Sequence, residues 1–119
     1  MSHTLKGTVL FKDPGIVEQT ARELGLATTR GEIKLFDGKT VNGIGVKLPG
    51  WRYHVAIDGK TGEAFYDNYK GAWGHQSELD KFTQAYAVNK TTAAARLKGW
   101  IVSKQVQSNG TVALQITGM

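Results

Sequence analysis

Apolar positions along this chain change their period several times, and each change marks an element. Between Thr4 and Phe11, Leu5, Val9 and Phe11 share one parity and Lys6, Thr8 and Leu10 the other, which predicts a strand. Asp13-Pro14 then opens a helix, with Asp13 placed to accept from the first free amides and Pro14 at the first helical position. Val17, Ala21 and Leu24 recur at helical spacing, Glu18 and Arg22 stand four apart on the outer face, and Gly25 closes the helix.

The period then falls to two. Leu26 to Arg30 reads as a connection and Glu32 to Phe36 as a strand, and Asp37-Gly38 is a hairpin turn. Lys39 to Leu48 carries Val41, Ile44, Val46 and Leu48, and Gly43 and Gly45 within it predict a bulge or a close backbone approach. After Pro49-Gly50, Trp51, Tyr53, Val55 and Ile57 alternate with Arg52, His54 and Ala56 as far as Asp58. Asp58 to Gly62 is a turn, Glu63 to Tyr69 a further strand, and Lys70 to Gln76 a glycine-bearing loop.

Helical spacing returns at Ser77, read as the cap, with Asp80 three residues on. Leu79, Phe82, Tyr86, Ala93 and Leu97 make the buried stripe. The polar patch Asn89-Lys90-Thr91-Thr92 interrupts it, so either the helix is continuous with these residues mostly outward or it kinks there. Gly99 ends the helix. Trp100, Val102 and Val106 on one side of Ser108-Asn109-Gly110 and Val112, Leu114 and Ile116 on the other predict an antiparallel hairpin, with Trp100 in the core. The order β-α-β-β-β-β-α-β-β is that of an α+β fold: one curved antiparallel sheet of about five to seven strands with both helices on one face, a single domain spanning residues 1–119.

Composition narrows the chemistry. The 119 residues contain no cysteine, which removes disulfides, thiolate nucleophiles and zinc–thiolate sites. Apolar runs are short and Met-Ser-His-Thr-Leu-Lys lacks a signal-peptide core, so the expectation is a cytoplasmic protein with no membrane span. A net charge of +5 favours anionic partners, although the lysines are scattered rather than clustered. The three histidines, His3, His54 and His75, show no metal-ligand spacing, and neither a metal nor a cofactor is expected. Ser77, Ser103 and Ser108 are each explained by a cap, a strand or a turn, which leaves no serine nucleophile with an obvious base. Gly59-Lys60-Thr61-Gly62 contains a Gly-Lys-Thr string, but a strand follows it where a phosphate-binding loop needs a helix.

What stands out is an aromatic and basic group: Trp51, Arg52, Tyr53, His54, Phe65, Tyr66, Tyr69, Trp73 and His75. Aromatic rings on a sheet stack flat ligands, nearby cations hold phosphate, and Tyr and Trp anchor protein interfaces. About half of the group is expected in the core, and Trp73 is the member expected to be least buried. The candidate ligand- or partner-binding residues are therefore Trp51, Arg52, Tyr53, His54, Tyr66, Tyr69, Trp73 and His75.

The Met-Ser-His start, Trp51-x-Tyr53, Tyr66-Asp67, Gln84-Ala85-Tyr86-Ala87, Gly99-Trp100-Ile101-Val102 and Gln107-Ser108-Asn109-Gly110-Thr111-Val112 carry a likeness. In these the chain resembles the small domain-of-unknown-function family 1257, found in cyanobacteria, plastids and phages. The resemblance covers about two thirds of the chain and excludes Gly25 to Leu48. It brings no activity, but its phage members imply a host-interaction protein acting in the host cytoplasm.

Three classes of function follow. The first is a non-enzymatic binding protein that holds a host protein or sequesters a nucleotide-like ligand. The second is a nucleic-acid accessory protein that uses the aromatic strands for stacking. The third is a small enzyme using histidine and aspartate. A homodimer through an exposed sheet edge, such as the strand ending near Ile116, is a further expectation.

Overall fold

A computed structural model of the chain describes residues 5–6, 9–35, 38–67, 74–106 and 112–117. The elements follow the predicted order: β1 (Leu5–Lys6), α1 (Pro14–Glu23), β2 (Thr28–Lys34), β3 (Thr40–Val46), β4 (Val55–Asp58), β5 (Ala64–Tyr66), α2 (Gln76–Leu97), β6 (Ile101–Val106) and β7 (Val112–Thr117). The fold is α+β. The first five strands form an antiparallel sheet in the order β1-β5-β4-β3-β2, against which the helices pack, while β6 and β7 form a separate two-stranded sheet among the described residues.

α1 begins as the sequence predicts. Asp13 is the N-cap, its Oδ1 accepting from the Ile16 amide at 3.2 Å, and Pro14 follows it. Ile16, Val17, Thr20 and Ala21 form its buried face. α2 supplies Leu79, Phe82 and Tyr86 to the same layer, which meets Ile44, Val46, Leu48, Val55 and Ile57 from the sheet and Trp51 beside it. Full burial of such side chains stabilises by about 1.5–3 kcal/mol each, so this layer dominates the fold. Phe11 ties it together: its ring lies 5.8 Å from Phe82 and 4.9 Å from Tyr86, and its amide donates to Gly62 O at 2.7 Å. The opposite face of the sheet carries a smaller apolar cluster of Ile33, Leu35, Val41 and Ala56, with Phe65 packed on it.

Several expectations are corrected. β2 starts at Thr28, inside the stretch read as a connection. Most of its side chains are solvent-facing, so no apolar alternation announces it, and the register with β3, from Thr28↔Val46 to Lys34↔Thr40, makes it a strand. Trp51 precedes β4 rather than opening it, because the chain turns there with the Trp51 amide donating to Leu48 O at 3.1 Å. His75, not Ser77, is the N-cap of α2, and its own side chain makes no capping bond. The polar patch is split: α2 runs unbroken through it, as the first alternative has it, with Lys90 and Thr91 outward but Asn89 and Thr92 buried. Asn89 Nδ2 donates to Thr20 Oγ1 at 3.0 Å and to Glu23 Oε1 at 2.7 Å, so the helices meet through a polar bridge. Leu97, read into the buried stripe, is 89% exposed, and Trp100, read as core, is 39% exposed. The Ser108-Asn109-Gly110 turn lies outside the described residues, although the β6–β7 pairing it was predicted to make is present.

Candidate functional site

The aromatic group splits between core and surface. Trp51 is 1% exposed, and its Nε1 donates to His75 O at 3.1 Å. Tyr66 packs edge-on against it, with ring centroids 5.9 Å apart. Gly74 lies flat on the indole, where a Cβ would fall 2.5 Å from Trp51 Cγ. Trp51 therefore pins the entry to α2 against the sheet, a task that accounts for its size and its single donor. Arg52 and His75 are exposed, while Tyr53 and His54 are half-buried. Burial, reinforced by the charge of Lys47, holds the His54 imidazole below its ordinary value. Tyr69, Trp73 and His3 lie outside the described residues. Trp51, Tyr66 and His75 thus come together, but around a buried ring rather than an open platform.

A cleft lies elsewhere. A cleft of about 550 Å³ opens where the start of α1, the middle of β2 and β3 and the β4–β5 turn converge. Lys12 and Pro14 line one side, Arg30 and Gly31 another, and Asn42, Gly43, Ile57, Asp58, Gly59 and Lys60 the rest. Its walls are close-drawn backbone: the Gly59 amide donates to Asn42 O at 3.0 Å, and a Cβ on Gly43 would overlap the Ile57 carbonyl. The close approach predicted from Gly43 is therefore present, and it helps to shape this cleft.

The charges of the cleft are unequal in freedom. Asp58 Oδ1 accepts from the amides of Lys60 at 2.7 Å and Thr61 at 3.2 Å, so this carboxylate is engaged in forming the turn. Residues 59–62 form the predicted turn, not a phosphate-binding loop. Arg30 pairs with Glu18, its Nε donating to Oε2 at 3.1 Å. That hydrogen bond, followed by the Arg30 and Arg22 charges, outweighs slight desolvation and holds the Glu18 carboxyl below its usual range. Lys12 and Lys60 are exposed. The cleft escaped sequence reading because its lining comes from four separated stretches; the signals available were the paired glycines and the basic residues beside Phe11 and Gly59.

Among the described residues no three His, Asp or Glu side chains converge to hold a metal, and no helix is long and apolar enough to cross a membrane. Comparison of the chain with protein-family models, with curated proteins and with solved structures finds no match.

Proposed function

We propose that this chain is a small non-enzymatic binding protein of the cytoplasm, and that the cleft between α1, β2 and the β4–β5 turn receives an anionic, nucleotide-like small molecule. One observation carries the reading: exposed Lys12 and Lys60 flank a cleft of about 550 Å³ in which Arg30 is held by Glu18 and the lining carboxylate, Asp58, is already bonded to backbone amides. That volume lies within the range of small-ligand sites. Cations around it favour phosphate or carboxylate groups, and the exposed backbone of Gly31 lets a ligand approach closely. The resemblance to family 1257 contributes nothing to this assignment, since it brings no activity. The stacking alternative for nucleic acid is weakened by the burial of Trp51, its strongest candidate ring.

Thermal denaturation in the presence of a panel of mono-, di- and cyclic nucleotides and inorganic phosphate tests the proposal. A ligand present at 100 times its Kd stabilises by about 2.7 kcal/mol, a shift of several degrees in a domain of this size. Lys12→Glu together with Lys60→Glu should abolish the shift. No shift with any member of the panel, or a shift that survives the double substitution, refutes the assignment.

A further inference from the structure

The sheet ends on one side at β2, and the backbone there is oriented for a second strand. Leu35 N donates to Lys39 O at 2.8 Å and Lys47 N to Ala27 O at 3.0 Å, both in the β2–β3 register. Hydrogen-bonded pairs alternate along an antiparallel ladder. Residues 27, 29, 31, 33 and 35 thus bond inward to β3, and Thr28, Arg30, Glu32 and Lys34 turn their amides and carbonyls outward. Among the described residues nothing pairs with that side of β2. The edge is seven residues long and contains no proline. The opposite edge, β1, is two residues long.

We propose that β2 is a self-recognition edge, through which two copies of the chain pair antiparallel about a two-fold axis at Gly31. In that register Arg30 faces Glu32 of the partner subunit, Glu32 faces Arg30 of the partner subunit, and Thr28 faces Lys34 of the partner subunit. All of these positions have outward-turned backbone groups, so they form the hydrogen-bonded pairs of the new ladder. Sliding the axis one residue either way sets arginine against arginine or glutamate against glutamate, which is destabilising. The charges that usually guard a free edge here specify one register. Gly31 puts no side chain at the axis. Exposed Thr29 lies on the outer face beside Ile33 of the partner subunit, so the outer apolar cluster around Ile33 continues across the join. Two short strands bury an area at the low end for specific interfaces, so the dimer is weak and concentration-dependent. Arg30 and Gly31 also border the cleft, but Glu32 and Lys34 do not, so Glu32→Arg and Lys34→Pro test the edge without altering the cleft lining.

Sedimentation velocity over a dilution series up to about 1 mM is the test, 1 mM being the scale of the weakest specific complexes. The unaltered chain should move from monomer to dimer across the series. Glu32→Arg turns two attractive pairs into two repulsive ones and should weaken association at least about tenfold. Arg30→Glu should do the same, and an equimolar mixture of the two variants should regain a dimer containing one of each. Lys34→Pro removes an outward amide without touching the β3 ladder, so it should suppress the dimer while leaving circular dichroism unchanged. It therefore serves as the check where loss of the Arg30–Glu18 pair alters folding. A monomer at every concentration, a dimer indifferent to Glu32→Arg and Lys34→Pro, or a mixture of folded charge variants that stays monomeric overturns the proposal.

Discussion

The contact between the two helices offers a sharp test, because it is polar in the middle of an apolar layer. Thr20 is fully buried, donates from Oγ1 to Ile16 O at 2.7 Å and accepts from Asn89 Nδ2 at 3.0 Å. The second hydrogen of Asn89 Nδ2 goes to Glu23 at 2.7 Å. Thr20→Val keeps the shape but strands one buried Asn89 N–H, at a cost of about 1–3 kcal/mol. Asn89→Leu loses both donated bonds, yet Thr20 still donates to Ile16 and exposed Glu23 rehydrates, so its cost from these bonds is about 1 kcal/mol. With both substitutions no donor is left stranded, and the double variant should be less destabilised than the sum of the single ones by about 1–2 kcal/mol. Other bonds made by Asn89 disappear from both arms of the cycle and cancel. Urea denaturation with a shared m-value reads the three differences directly. Additivity within about 0.5 kcal/mol would refute the idea that this bridge, rather than the surrounding apolar packing, couples the helices.

Gly74→Ala drives a methyl into the indole of Trp51, which is too enclosed to retreat, and should cost about 1–3 kcal/mol, read as a fall in Tm; an unchanged Tm means that the loop does not rest on the ring. Thr92 is 5% exposed and its Oγ1 has no hydrogen-bond partner among the described residues, so Thr92→Val should be neutral or stabilising by up to about 1 kcal/mol in urea titrations. His54 has its proton affinity lowered by folding, so the unfolded chain binds a proton that the native state resists; stability is fully present above the ordinary value of 6.5 and falls as pH drops below it. His54→Gln should flatten that part of a pH–stability curve, and an unchanged slope assigns the acid sensitivity to other groups. Leu97→Lys, at an 89% exposed site, should alter stability by no more than about 0.5 kcal/mol, and a larger loss would place Leu97 in a contact.

Which features were legible in the sequence follows from where each signal resides. Asp13-Pro14, the alternation around Ile44 and Ile57 and the terminal hairpin were readable because local chemistry and tertiary demand agree there. β2 was half missed because an edge strand with Arg30, Glu32 and Lys34 on one face carries no apolar period; its identity comes from the neighbouring strand. Asn89 and Thr92 were misplaced because helical periodicity treats every polar residue as outward, whereas Asn89 is paid for by Thr20 and Glu23, which lie more than sixty positions away. Trp100 and Leu97 were misplaced for the converse reason: apolar character at helical spacing gives no notice that, among the described residues, nothing covers that position in the fold. The candidate site was the least legible feature. The aromatic group drew attention by composition, but the cleft is assembled by topology from residues that are unremarkable in their own segments.

The sheet order has a consequence for synthesis. β1 joins the sheet by pairing Leu5 with Tyr66 and Lys6 with Phe65, so all five strands can assemble once residue 66 has left the ribosome, ahead of α2, which begins at Gln76. At that moment α1 alone covers the inner face, and Val46, Leu48, Val55 and Ile57 lack Leu79, Phe82 and Tyr86 above them. A nascent chain therefore passes through a stage in which an assembled sheet presents a sticky apolar face at the ribosome exit, and that stage lasts until about ten further residues of α2 have emerged and coiled.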